Sequence, residues 1–276
     1  MATVLPYSIY DLNLAEHHMI HDGLRLEWFP GTLLGSGQKT FVPARYVRLD
    51  FTTSNAWVMP TFDLASNGLA SGNTCEEAIL HGLYEVIERD TFARVKLRTL
   101  QEVAIDPETI DGIASTQLIE QLRKRGADFE IKYAIGPMGV PCFSAHIISP
   151  NYPVVLPGYG CHLDRDVALS RAITEAAQAR LTMISGARDD IGKQVYARIQ
   201  SRKPFAPLKK ESTKADFRDI PSMNLSYLTE DLSEVTQRFL STVACLPIVV
   251  NLTRPEFNIP VVFVVAPQLR FLETRK

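Results

Sequence analysis

The chain has 276 residues, 46% of them hydrophobic and 22% charged, and a formal net charge of −2. That is ordinary globular usage, with material for one large domain or two small ones, and it excludes a disordered chain. A near-neutral balance offers nucleic acid no basic field, no apolar run approaches the roughly 18 residues that cross a bilayer, and Met1 to Ala15 lacks the pattern of a signal peptide.

Residues 1 to 62 carry short apolar stretches broken by turns such as Pro30-Gly31 and Gly35-Ser36-Gly37. Phe41 to Val47 and Tyr46 to Phe51 read as extended pieces. His17, His18 and His21 lie close together and read as part of a polar, unstructured start rather than a metal site. A Gly- and Ser-rich segment, Ser66-Asn67-Gly68-Leu69-Ala70-Ser71-Gly72, runs into a helical pattern from Thr74 to about Leu97. Thr74 and Glu77 have capping-box spacing. At 100° per residue, Glu77, His81, Glu85 and Glu88 fall on one stripe, opposite Leu80, Leu83, Tyr84, Val86 and Ile87. Glu85 and Glu88 stand one turn apart, where two carboxylates can jointly grip a hard cation. The alternative is a solvated face on which both pair with Arg89. Likewise the glycine segment either aims backbone amides at phosphates or is a plain strand-to-helix turn. His81 is expected to hydrogen-bond a carboxylate.

A helix is predicted at about Ser115 to Arg125, stopped by Gly126, then strands at Phe129 to Ile135 and Val140 to Ile148 around the turn Gly136-Pro137-Met138-Gly139. Gly158-Tyr159-Gly160 is expected to open a loop before a helix over Asp166 to Ile184. There Arg171, Glu175, Gln178 and Thr182 share a stripe, so Glu175 and Gln178 repeat the i, i+3 pair of oxygen donors. Two such helices could face one metal cluster. Residues 201 to 222 read as a flexible polar excursion, followed by a helix at about Asp231 to Val243 between strands Pro247 to Leu252 and Ile259 to Val265. Cys75, Cys142, Cys161 and Cys245 never form a CxxC pair, which reads as reduced thiols in a cytoplasmic protein. No repeat of fixed period is visible, and the mixture of elements implies an α+β (mixed α/β) fold.

Read as strings, SNGLASGNTCEEAILHGLYEVIERD (66 to 90) and GYGCHLDRDVALSRAITEAAQAR (158 to 180) resemble, in order, the two signatures of the YcaO family. The resemblance extends from about Trp28 to Pro267. It implies a YcaO-like fold with mixed β-sheets and two acidic metal-binding helices, and an ATP site unrelated to P-loops. It further implies Mg2+ ligands at Glu85, Glu88, Glu175 and Gln178. Gly68, Ser71 and Gly72 would lie near the nucleotide, with Arg89 and Arg180 toward its phosphates and Arg180 as the catalytic residue. The implied chemistry is ATP-dependent O-phosphorylation of a backbone amide in a ribosomally made precursor peptide, giving an azoline or thioamide. The peptide would be presented by a substrate- or sulfur-delivery partner protein, and a homo-oligomer is expected.

Two departures qualify the resemblance. Met1 to Glu16 holds no counterpart to the Lys and Ser side chains that the family sets before this region, which implies a domain shortened at its N-terminus. The end, Phe271 to Lys276, is not the proline-rich tail of azoline-forming members. The reading is one domain over 1–276, with a β-rich entry to 62, a nucleotide and metal core over 63–200, a polar excursion over 201–228 and a closing helix and strands over 229–276. A catalytically incomplete module that binds a precursor peptide or partner is the alternative. A dinuclear carboxylate metal protein is disfavoured, since neither pair has His at its third position.

Overall fold

The computed structural model describes residues 5–49, 58–149, 152–186 and 214–271. The chain divides into two compact units, one from 1–93 with 225–276 and one from 94–224.

The first unit is built on a five-stranded sheet. Its strands are β1 (Trp28–Leu33), β2 (Lys39–Pro43), β3 (Leu69–Ser71), β8 (Ile248–Asn251) and β9 (Val261–Val265), in the order β2-β1-β8-β9-β3. Its ladders are antiparallel. Gly35 and Gly37, both at positive φ, close the β1–β2 hairpin as the sequence suggests. The predicted strand Phe41 to Val47 is cut short. Pro43 has no N–H to donate and Ala44 turns its amide to the Glu27 carbonyl at 2.7 Å, so Ala44–Val47 forms a short helix, α1. Of the predicted strand Tyr46 to Phe51, residues 50 and 51 lie outside the described residues. One face of the sheet packs Val42, Val47, Phe62, Ile248, Val250, Phe263 and Val265, with Tyr46 edge-on to Phe62 and Phe263. Such spacing favours aromatic pairs.

The N-terminal residues join that core rather than forming an unstructured start. Tyr7, Leu12 and Ile20 are buried, and a 3-10 turn at Ile9–Asp11 is capped reciprocally by Ser8 and Asp11. Helix α2 (Cys75–Lys96) buries Leu80, Leu83, Tyr84, Val86 and Ile87, the apolar face its periodicity predicts. Helix α5 (Leu228–Thr242) begins three residues before the expected start, where Glu230 reaches back to the amides of Ser226 and Tyr227 at 3.1 Å.

The second unit is a four-stranded antiparallel meander, β4 (Val103–Ala104), β5 (Asp128–Ile135), β6 (Pro141–Ser149) and β7 (Tyr152–Cys161). Helices α3 (Ile113–Lys124) and α4 (Arg165–Ser185) complete it, with a core of Ile105, Ile119, Ile131, Phe143, Leu169, Ile173 and Phe217. The fold is thus α+β, and the mixed sheets of the expectation resolve into two antiparallel ones.

The excursion expected over 201 to 222 falls partly outside the described residues, and its described end packs into the second core. Phe217 is fully buried, Arg165 lies over its ring at 5.1 Å, and the Arg165 guanidinium donates to the carbonyls of Arg218 and Ile220. Helix α3 has a glycine at its N-cap and borrows its cap from α4. Asp166 accepts from the Ser115 and Ala114 amides at 2.9 and 3.1 Å, satisfying donors the helix leaves orphaned. Among the described residues no helix is long and apolar enough to cross a membrane.

Candidate functional site

In the first unit the acidic stripe stands where the sequence places it, on α2, but its members have separate jobs. Glu77 is part of the helix start. Its carboxylate accepts from the backbone and side-chain amides of Asn73 at 2.8 and 3.0 Å, while the Glu77 amide donates to Thr74 Oγ1. Those Asn73 bonds hold the Glu77 carboxyl below its usual range. The reciprocal bond of the capping box therefore falls on Asn73, one residue before Thr74. The His81 ring Nδ1 lies 3.2 Å from the Ser71 carbonyl, so its bond goes to backbone rather than to the expected carboxylate.

Glu85 and Glu88 remain. Glu88 is buried at 8% exposure, unusual for a carboxylate. One Glu85 oxygen, Oε2, accepts the Gly68 amide at 3.0 Å. Arg89 sits beside both acids, at 3.8 Å from Glu85 and 3.7 Å from Glu88. These are ion-pair contacts longer than hydrogen bonds. A guanidinium there offsets the repulsion between two carboxylates one turn apart.

The glycine segment is not an open row of amides. Leu69–Ser71 is strand β3 at the edge of the sheet, paired with β9. The Gly68 amide serves Glu85, the Leu69 amide the Ser66 carbonyl, and the Gly72 amide the Pro260 carbonyl. The segment is a sheet-edge strand with an exposed Ser71 side chain, rather than amides aimed at phosphate.

In the second unit, α4 begins with Asp164 capping the Asp166 amide at 2.8 Å. Glu175 is half-buried, and its Oε2 accepts the Tyr159 amide at 2.7 Å. Gln178 is exposed one turn further on, and Arg180 is half-buried. Gly158 and Gly160 do not open a loop; they lie inside β7. They are glycines because α4 passes against them: a Cβ at Gly158 would stand 2.1 Å from the Ala176 amide nitrogen, and one at Gly160 would stand 2.1 Å from the Ala168 carbonyl oxygen.

All four candidate ligands present oxygen, the donor magnesium prefers, and one carboxylate of each pair is already oriented by a backbone amide. That donor set fits magnesium. Among the described residues no three His, Cys, Asp or Glu side chains form a ready-made cage. Magnesium commonly takes one or two protein carboxylates and completes its shell with water and substrate phosphates, so each pair suits a metal that arrives with a nucleotide. The cysteines near the motifs have no catalytic setting. Cys161 is buried, and burial together with Glu76 raises the exposed Cys75 thiol above its ordinary pKa.

Comparison with known proteins follows the same lines. Residues 3–270 match the family model described as YcaO cyclodehydratase, ATP- and Mg2+-binding. An uncharacterized protein of Mycobacterium tuberculosis is 36% identical over 270 residues, which is 96% of this chain and 61% of that protein. The chain thus spans about three fifths of the length of the first curated relatives it matches. A heterocyclase in complex with substrate and cofactor superimposes with a TM-score of 0.73 at 23% identity, covering 93% of this chain and 35% of that one. The YcaO from Methanopyrus kandleri bound with AMPPCP and Mg2+ gives 0.68 at 21%, covering 91% and 66%. At these identities the solved structures show the fold.

Proposed function

This chain belongs to the YcaO family, and on that premise we propose that it binds magnesium-ATP and phosphorylates the oxygen of a peptide backbone amide. The observation that carries the reading is the donor set: two i, i+3 oxygen pairs, Glu85 with Glu88 and Glu175 with Gln178, each with its first carboxylate held by a backbone amide.

Bound magnesium would neutralise phosphate charge and hold the transferring phosphoryl group in line with its acceptor. The chain's own residues prepare for it. Gly68 and Tyr159 fix one oxygen of Glu85 and of Glu175, so those carboxylates need little reorganisation when a cation arrives. Arg89, beside both Glu85 and Glu88, offsets the repulsion between their carboxylates and would be the first phosphate contact. Arg180 is the second phosphate contact and the catalytic residue of the proposal, stabilising charge on the transferring group.

The substrate is a ribosomally made peptide. A nucleophile, either a neighbouring Cys, Ser or Thr side chain or external sulfide, adds to the amide carbon. The resulting oxyanion attacks the γ-phosphorus and ADP leaves. Expulsion of phosphate then carries away the former amide oxygen, giving an azoline or a thioamide. A partner protein that delivers peptide or sulfur completes the scheme.

Calorimetric titration of AMPPCP into the purified chain tests the reading. Heat of binding that appears with Mg2+ and vanishes with a chelator is the expected result. Binding indifferent to Mg2+ removes the metal site, and no binding beside measurable peptide binding favours the incomplete module.

A further inference from the structure

The two glutamates that begin the motifs are held in the same way. Glu85 is the eleventh residue of α2 and Glu175 the eleventh of α4. The correspondence extends along both segments at a shift of 90 residues: Gly68 with Gly158, the caps Thr74 with Asp164, Gly82 with Ala172, and Glu88 with Gln178. The amide bond to the first glutamate recurs, although the packing behind it differs. Gly68, at φ +89°, has no room for a side chain, since a Cβ would stand 2.2 Å from the Val264 carbonyl oxygen. A Cβ on its neighbour Gly82 would stand 2.9 Å from the Gly68 carbonyl oxygen. At Gly158 a Cβ would stand 2.2 Å from the Ala172 carbonyl oxygen. In the second unit Gly158 sets strand β7 directly against α4, whereas in the first Gly68 lies in the turn before β3, pressed on Val264 of β9 and faced by Gly82 of α2; in both, a backbone amide reaches the first glutamate, from Gly68 at 3.0 Å and from Tyr159 at 2.7 Å.

We propose that Gly68 and the Gly158-Tyr159 pair are positioning residues, whose backbone amides lock Glu85 and Glu175 into the single orientation that binds magnesium. Close packing does what a neighbouring carboxylate or carbonyl does around many metal ligands, and it does so without a side chain. A ligand free to rotate loses conformational freedom when it binds, whereas a locked one does not. Partners that orient metal ligands typically account for about 10- to 100-fold in metal affinity. The inference rests on the magnesium-ATP reading above and adds to it the residues that set how much magnesium the site requires.

The test removes one N–H and keeps the side chain, and a matched ester elsewhere controls for the weaker carbonyl. Tyr159 is replaced by its α-hydroxy acid through nonsense suppression in cell-free translation, which turns the 158–159 amide into an ester and keeps the tyrosine side chain. A second protein carries the same change at Ile105, whose amide donates to the Ile131 carbonyl at 2.9 Å, a bond between two residues outside both motifs. For each, the Mg2+ concentration giving half-maximal AMPPCP binding is measured, beside a thermal melt. The expected result is a rise of roughly 10-fold or more in that concentration for the Tyr159 ester, with AMPPCP affinity at saturating Mg2+ within about threefold of wild type. The Ile105 ester should lower the melting temperature and leave the Mg2+ requirement unchanged. A Tyr159 ester with the wild-type requirement, or an Ile105 ester that shifts it equally, overturns the positioning role while the magnesium-ATP reading stands. Wild-type binding that needs no Mg2+ overturns both.

Discussion

Replacing Gly158 with alanine adds one methyl group where the structure has least room for it. The new Cβ would stand 2.1 Å from the Ala176 amide nitrogen and 2.2 Å from the Ala172 carbonyl oxygen, against 3.4 Å or more in ordinary contact. Both obstacles are backbone of one regular helix, so no rotamer relieves them. Strand β7 and helix α4 must move apart by roughly 1 Å, a gap that forfeits a quarter to a half of the dispersion energy across the contact. That contact includes Ala168, Leu169, Ala172, Ile173 and Ala176, all buried at 2% exposure or less. Overpacking alone costs about 1–3 kcal/mol, and the loosened contacts take the total to about 3 kcal/mol or more. For a chain of this size that lowers Tm by roughly 6–12 °C, readable by calorimetry or circular dichroism. The same displacement stretches the Tyr159–Glu175 bond, so the Mg2+ requirement for nucleotide should rise with the loss of stability. A Gly158→Ala protein within about 0.5 kcal/mol of wild type would refute the close-approach argument.

Three further outcomes follow from other parts of the fold. Asp166→Ala leaves the Ala114 and Ser115 amides of α3 without their cap, and should cost about 2 kcal/mol in a urea unfolding curve; an unchanged midpoint would remove the borrowed cap. The side-chain and backbone bonds from Arg218 hold the Asp216 carboxyl at about 2. A depressed acid stabilises the fold above its ordinary value of 3.8 and loses that contribution as pH falls toward about 2, so Asp216→Asn should flatten this part of the acid-unfolding profile, and an Asp216 carboxyl titrating near 3.8 by NMR would contradict it. Of the four cysteines only Cys75 is exposed, so a thiol reagent should label one site slowly in the folded protein and all four in denaturant; rapid labelling of Cys142 or Cys161 would mean that the second unit opens readily.

Much of this was legible in the sequence where periodicity is strong. Helices α2 and α4 carry long apolar faces and capping residues, and the structure places them within a residue or two of expectation. The β5–β6 hairpin follows from alternation and from Gly136 to Gly139. The misreadings share a cause: a residue's local preference was outweighed by what packs against it. Gly158 and Gly160 resemble loop glycines until α4 is seen to lie on them. Phe217 sits in a polar, proline-bearing stretch yet fills the second core, and Tyr7, Leu12 and Ile20 contribute to the first without periodic spacing. The apolar residues of Ala44–Val47 suit a strand, but Pro43 ends the strand and a short helix follows it. Backbone donors leave no mark in a sequence, so the amides behind Glu85 and Glu175 were invisible, although the equal spacing from glycine to glutamate was a signal that could have been counted.

The central proposal is that Glu85 and Glu175 are each needed for magnesium-dependent binding of nucleotide. It is tested most directly by titrating AMPPCP and Mg2+ into Glu85→Gln and Glu175→Gln, each of which keeps an oxygen able to accept its amide hydrogen bond while removing the charge. Both proteins should melt within a few degrees of wild type, and each should bind the nucleotide at least about 10-fold more weakly at a fixed Mg2+ concentration. Wild-type affinity in either variant would contradict the account.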